Sequence, residues 1–152
     1  MTLSRLTKPV LVIAGLTAIV ISLAILVAPA AFYESYGIAL GDDPSLLNEL
    51  SAPALMLLLA GAVMLAGVVR HALTRPALWL AAGLFTAYAL SRGLNMALHG
   101  LPHDGLIMAA GLEAAIGGLA IAALLRSVHR PLRHGMSLGD RGGRVEDHGF
   151  GL

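Results

Sequence analysis

The chain contains no cysteine, which excludes disulfide bonds, thiolate metal sites and cysteine nucleophiles. Charge is also scarce, because charged side chains make up only 12% of the 152 residues, whereas soluble domains average about 25%. The formal net charge of +1 provides no basic surface for nucleic acid. The composition therefore argues against a soluble domain, and we expect no nucleic-acid partner.

Sequence motifs of common enzymes are missing as well. There is no GxSxG, HExxH or P-loop sequence, and no histidine lies in the middle of an apolar run to serve as a haem ligand. His99, His103 and Asp104 are near one another in sequence, but Gly100 and Pro102 interrupt any helix that would align them on one metal. We therefore predict no metal, no cofactor and no catalytic set.

What the chain has in abundance is long apolar sequence, which amounts to 57% of its residues. Four runs are each long enough to cross a bilayer as a helix, at residues 10–28, 50–69, 76–98 and 105–125. In this prediction Pro53 lies in the first turn of the second span and Pro76 begins the third. The sequence predicts an all-α integral membrane four-helix bundle over residues 1–130, followed by a disordered cytoplasmic tail over 131–152.

The distribution of Lys and Arg predicts the orientation. Basic residues flank the beginning of the first span, the turn between the second and third spans, and the end of the fourth, whereas the connections 30–49 and 99–104 contain none. The positive-inside rule then puts both termini in the cytoplasm. One lysine against nine arginines fits a GC-rich bacterial genome, so we expect a multi-pass protein of the bacterial inner membrane.

The first span has a second interpretation, as a signal peptide. Basic residues precede it and Ala28-Pro29-Ala30 resembles a cleavage site. Its apolar stretch of nineteen residues, 10–28, is longer than the usual apolar region of about 7–15 residues. We therefore favour retention of the first span as a transmembrane helix.

Small residues at four-residue spacing predict where helices pack closely in the membrane. The fourth span carries such a row at Ala110, Ala114, Gly118 and Ala122. The second span has Ala62 and Ala66 beside two glycines, and we interpret both rows as packing surfaces.

A few polar residues interrupt the apolar spans. On the third span, four of them share one helical face: Tyr88, Arg92, Asn95 and His99. Glu113 lies near the middle of the fourth span, and Glu49 lies at the start of the second, where the helix dipole would stabilise it. In the predicted topology these residues all fall in the outer half of the bilayer. They form our candidate polar cluster.

Arg92 and Glu113 are predicted to be direct partners. An unpaired charge near the middle of a membrane helix costs about 2.5–3.5 kcal/mol on insertion scales, and a bidentate guanidinium–carboxylate contact would relieve that cost. The pair either fixes helix register or belongs to a functional pocket. A water-accessible pocket reaching both side chains would favour function, and a dry, filled bundle would favour a structural role.

Several short motifs resemble a known family: Tyr36 to Gly41 with Asp43-Pro44, Asn48-Glu49-Leu50, Arg92 with Asn95 and His99-Gly100, and Glu113. Across residues 7–126 the chain resembles the bacterial membrane family numbered 4345 among the domains of unknown function, a relative of DoxX-like four-span proteins. The family pattern has an arginine two positions after the acid of the second span, where this chain has Ser51. The resemblance implies a four-helix membrane bundle and no established activity.

Two functional hypotheses follow. In the first, the chain is a non-enzymatic membrane protein whose outer-leaflet cluster binds a small lipophilic ligand or a partner membrane protein. In the alternative, it is a small membrane enzyme that acts on a lipid-like substrate by acid–base chemistry, which rests on analogy with other four-span bundles.

Overall fold

The computed structural model describes residues 6–128, and it is helical almost throughout. The helices are α1 Thr7–Val27, α2 Pro29–Glu34, α3 Pro44–Val69, α4 His71–His99 and α5 Asp104–Val128. The four long helices are apolar enough to cross a membrane, and at 1.5 Å per residue each spans at least about 30 Å. The predicted all-α membrane bundle is confirmed. The predicted tail, 131–152, lies outside the described residues.

The four long helices pack in chain order around the bundle. α1 packs on α3, α3 on α4 and α4 on α5, while α1 and α5 meet over a smaller surface. Glycine permits the closest approach between α1 and α3, since a Cβ atom on Gly61 would lie 2.9 Å from the carbonyl oxygen of Gly15. These two helices are therefore in backbone contact, as small residues allow in membranes.

The two ends of the bundle differ in charge. One end, which we call the basic end, has Lys8, the single-residue turn at Arg70, and then Arg75 and Arg126. At this end the hydroxyl of Thr74 donates a hydrogen bond of 2.8 Å to the carbonyl of Gly67 and closes the turn. The opposite, acidic end contains α2, the α4–α5 connection and five carboxylates: Glu34, Asp42, Asp43, Glu49 and Asp104.

The buried core lies mainly in the half of the bundle next to the basic end, and on α1 it continues as far as Ser22. Its α4 residues run from Thr74 to Phe85, and its α5 residues from Glu113 to Leu124. The corresponding half of α3 contributes Ala54 to Gly67. Large apolar side chains such as Val20, Trp79 and Leu119 are exposed on the outside of the bundle, as a lipid environment permits.

Helix α3 begins earlier than the predicted second span. The side chain of Asp43 accepts a hydrogen bond of 2.9 Å from the amide of Ser45 and caps the helix, with Pro44 as its first residue. Pro53 consequently lies inside α3, so its predicted position in the first turn is wrong. Glu49 is also beyond the first turn, and the dipole argument for that residue fails.

Two other sequence predictions are corrected. α4 begins at His71, and Pro76 lies inside it instead of starting it. On α5 the row of small residues chosen as a packing surface turns outward, because Ala114 and Gly118 are exposed and nothing lies within 4 Å of a Cβ on Gly118. The side of α5 that packs on α4 carries Gly117, where a Cβ would lie 2.7 Å from the Thr86 hydroxyl oxygen.

Candidate functional site

An ion pair joins α4 to α5 where the buried part of these two helices ends toward the acidic end of the bundle. The Nε of Arg92 donates a hydrogen bond to Oε2 of Glu113 at 2.8 Å. Glu113 is only 7% exposed, and Gly117, one turn further along α5, lets the two helices approach closely enough for this contact. The predicted pairing of Arg92 with Glu113 is therefore confirmed.

The contact is single and not bidentate. Among the described residues, the terminal Nη1 and Nη2 of Arg92 and the Oε1 of Glu113 have no hydrogen-bond partner. Within residues 6–128, every buried side-chain nitrogen or oxygen has a hydrogen-bond partner. These three atoms have none, so they are not buried. The side chain of Arg92 is 31% exposed. Most of the hydrogen-bonding capacity of the guanidinium thus faces accessible space.

That space includes a cavity of about 370 Å³ inside the acidic half of the bundle. Its wall is mostly aliphatic and draws on all four long helices, with Ile21, Ile25, Leu50, Ala54, Leu57 and Ala109 among the lining residues. Five lining side chains carry polar atoms: Tyr33, Tyr36, Tyr88, Arg92 and Glu113. The cavity is therefore mostly apolar with a few polar groups in its wall, as small-molecule sites usually are.

The short helix α2 covers the cavity with aromatic rings. Phe32 makes edge-to-face contacts with Tyr33 and with Tyr36, both at 5.3 Å between ring centroids. Tyr36 also packs against Gly105, where a Cβ would lie 2.9 Å from the tyrosine ring. This cover is absent from the sequence predictions, which treated 30–49 as a connection. The sequence signal for it is Pro29 at the first helical position followed by closely spaced aromatic residues.

Tyr33 brings a further polar group to the cavity. Burial raises the pKa of its hydroxyl above the ordinary value of 10.0, the nearby Tyr88 also raises it, and Arg92 lowers it. All three side chains line the same cavity. At neutral pH the Tyr33 hydroxyl is therefore a neutral donor beside the guanidinium.

A second opening, a groove of about 500 Å³, lies on the other side of Arg92 toward the acidic end. Cavity and groove share three lining residues: Tyr88, Arg92 and Leu106. The rest of the groove is formed by the end of α4 and the following connection, from Ser91 to Pro102. Arg92 consequently borders both spaces.

The predicted polar cluster is divided between these spaces. Glu113 lines the cavity, Asn95 and His99 line the groove, and Tyr88 and Arg92 line both. Asn95 is bound locally, since its Nδ2 donates to the carbonyl of Ser91 at 2.8 Å. Glu49, the remaining member of the cluster, is exposed and lines neither space. Within residues 6–128, no group of three histidine or carboxylate side chains is arranged to hold a metal.

Residues 6–124 match a family described as Domain of unknown function (DUF4345), which is most of the chain, and the chain belongs to this family. No curated protein matches the chain, and no solved structure does. Membership agrees with the resemblance carried by the short motifs and assigns no activity.

Proposed function

We propose that this chain is a non-enzymatic protein of the bacterial inner membrane that binds a small lipophilic ligand in the cavity beneath α2. The observation that carries the proposal is the cavity of about 370 Å³ that reaches both Arg92 and Glu113. A pair that served only to fix helix register would be surrounded by packed side chains, because interiors leave few voids larger than a water molecule. The open space beside the pair favours function.

The location of the cavity favours a small ligand over a partner protein. Its wall is formed by the inward surfaces of α1, α3, α4 and α5, and α2 lies over it. A partner helix would instead use the outer surface of the bundle. The lining contains no serine, cysteine or histidine, and its one carboxylate, Glu113, is bound to Arg92, so binding has more support than acid–base catalysis does.

The distribution of charge supports an orientation with the basic end in the cytoplasm. Lys8, Arg70 and Arg75 lie at that end and the cavity lies toward the other, so the ligand would bind in the outer half of the bilayer. Reporter fusions after Asp43 and after His103 should report a location outside the cytoplasm. A fusion after Ala72 should report the cytoplasm. The opposite pattern would reverse the proposed orientation.

A cavity-filling substitution tests the binding function. Ala109 lines the cavity from α5, whereas Ala114 on the same helix is exposed. Native mass spectrometry in mild detergent should detect a co-purifying small molecule with the wild type and with the matched control Ala114→Leu. It should be lost or strongly reduced in Ala109→Leu. No bound molecule in the wild type, or equal occupancy in all three proteins, would contradict the proposal.

A further inference from the structure

We propose that the ligand is a single-chain amphiphile with an anionic head group, and this inference rests on the proposed binding function. In this arrangement the apolar tail occupies the cavity and the head group binds the terminal nitrogens of Arg92 beside the groove. The head is identified by its chemistry as a carboxylate or a phosphate ester.

The residues that line the groove include a positive charge and no negative charge. Of its lining residues, Arg92 carries a positive charge, and none is an aspartate or glutamate. Glu113 lines the cavity and not the groove. The groove lining therefore presents Arg92 and no carboxylate to a bound anion, and the five carboxylates of the acidic end lie outside that lining.

The guanidinium of Arg92 has two terminal nitrogens that Glu113 does not bind. Glu113 occupies Nε of Arg92, and within residues 6–128 the Nη1 and Nη2 edge has no partner. Two parallel N–H donors match the two oxygens of a carboxylate or phosphate. Glu113 is then a positioning residue that orients the guanidinium, while the opposite edge binds the head group.

The size and polarity of the cavity suit a single apolar tail. Small-molecule pockets range from about 300 to 1,000 Å³, and a cavity of about 370 Å³ lies at the low end of that range. Such a volume suits one hydrocarbon chain better than the two chains of a membrane phospholipid. The aliphatic wall formed by residues such as Ile21, Ile25 and Leu57 suits the same occupant, because it offers a hydrocarbon chain van der Waals contact along its length.

Four probes with the same tail separate the contributions of head and tail: dodecanoate, dodecyl phosphate, dodecanol and dodecyltrimethylammonium. Their binding to the full chain in neutral nanodiscs is measured by titration calorimetry. Both anions should bind at least about 10-fold more tightly than dodecanol, as expected for hydrogen bonds to a charged group, and the cation should bind most weakly. Acetate and inorganic phosphate test the head groups alone. If inorganic phosphate binds as tightly as dodecyl phosphate, the site is one for free anions and the amphiphile proposal is wrong.

Variants assign the head group to Arg92. Arg92→Gln should reduce dodecanoate affinity by about 10–100-fold and leave dodecanol unchanged, and Arg92→Lys should lie between, since an ammonium cannot present a planar fork. Glu113→Gln keeps an acceptor for Nε but removes the negative charge, so dodecanoate should bind as tightly or more tightly. Arg75→Gln, at the basic end of the same helix, is the matched control and should change nothing.

The outcomes distinguish the two proposals. Dodecanol binding by Arg92→Gln would show that the variant is folded with an intact cavity. If dodecanol binds the wild type as tightly as dodecanoate does, and Arg92→Gln has no effect, the anionic head is wrong and cavity binding remains. If none of the four probes binds the wild type, both proposals fail. A loss of dodecanoate binding in Glu113→Gln equal to that in Arg92→Gln would overturn the assigned roles.

Discussion

The two halves of the bundle are built from similar apolar sequence but are packed differently. In the half next to the basic end, side chains such as Leu11, Met64 and Leu78 are buried in a continuous core. In the half next to the acidic end, α3 before Ala54 and α4 after Phe85 contribute no buried residue, and the cavity and groove lie there. The closed half holds the helices together, and the open half contains the space in which we propose that a ligand binds.

Residue size explains the difference. Near the basic end, glycine and alanine bring the helices into close contact, as where a Cβ on Gly67 would lie 2.5 Å from the Cβ of Ala77. Toward the acidic end, a Cβ on Gly93 of α4 or on Gly111 of α5 would meet nothing within 4 Å, and the rings of Tyr33 and Tyr88 border the cavity. Close packing in the membrane depends on small residues at the contact between helices, and these two glycines make no such contact.

The largest expected effect comes from disturbing the closed half. Gly61→Ala adds a Cβ that would lie 2.9 Å from the Gly15 carbonyl oxygen, so α1 and α3 must separate. Unfolding in detergent should show a destabilisation of about 1–3 kcal/mol. Gly118→Ala is the matched control, because its Cβ meets nothing within 4 Å, and it should be neutral or stabilise by up to about 1 kcal/mol. Equal effects at both positions would show that the α1–α3 contact does not limit stability.

Breaking the Arg92–Glu113 ion pair, which lies between the two halves, should have a smaller effect on stability. Arg92→Gln and Glu113→Gln each break the contact of 2.8 Å, and the double variant removes both charges. A double-mutant cycle on unfolding in bilayers should give a coupling of about 0.6–1.7 kcal/mol, the range seen for polar contacts between membrane helices. Strict additivity would mean that the pair does not stabilise the bundle. Arg92 would then be available for the ligand alone.

The aromatic cover should respond to alkaline pH. The pKa of Tyr33 is raised above 10.0 by burial and by Tyr88, so the neutral hydroxyl is favoured in the folded state. Its stabilising contribution is complete below pH 10 and is lost as pH rises through the folded-state pKa. Unfolding measured between neutral and strongly alkaline pH should show this loss in the wild type and in the control Tyr36→Phe, but a smaller loss in Tyr33→Phe. An unchanged profile in Tyr33→Phe would assign the alkaline loss to other groups.

The smallest effect is expected at Glu49. This side chain is exposed and lines neither the cavity nor the groove, so Glu49→Gln should change stability by less than about 0.5 kcal/mol. Dodecanoate affinity should also stay the same. A clear loss of affinity would bring Glu49 back into the polar cluster.

The sequence predicted the features that depend only on composition and on position along the chain. Long uncharged runs such as 10–28 require helices in a bilayer, because backbone groups there must be satisfied within the segment. The cost of an isolated membrane charge predicted the Arg92–Glu113 pair, since α4 and α5 each have one charged residue near that depth. Both arguments need only composition and position along a helix.

The errors concern how helices are rotated and where they end. Two rows of small residues occur on α5, and the apolar pattern does not distinguish the row with Gly117, which packs on α4, from the row with Gly118, which faces outward. In a soluble protein the polar side would identify the surface, but lipid accepts apolar residues on every face. Glu49 was misplaced for a related reason, because the Asp43 cap begins α3 before the apolar run.

By itself, then, the sequence determined that four apolar helices cross the membrane, that their basic residues gather at one end, and that Arg92 and Glu113 have to meet. Only the tertiary structure decided that the pair borders a cavity, that α2 covers it, and that the guanidinium keeps its terminal nitrogens free for a ligand among the described residues. A cavity is the space left where side chains of distant segments fail to meet. No local pattern encodes that space, because it depends on the size of every facing residue at once.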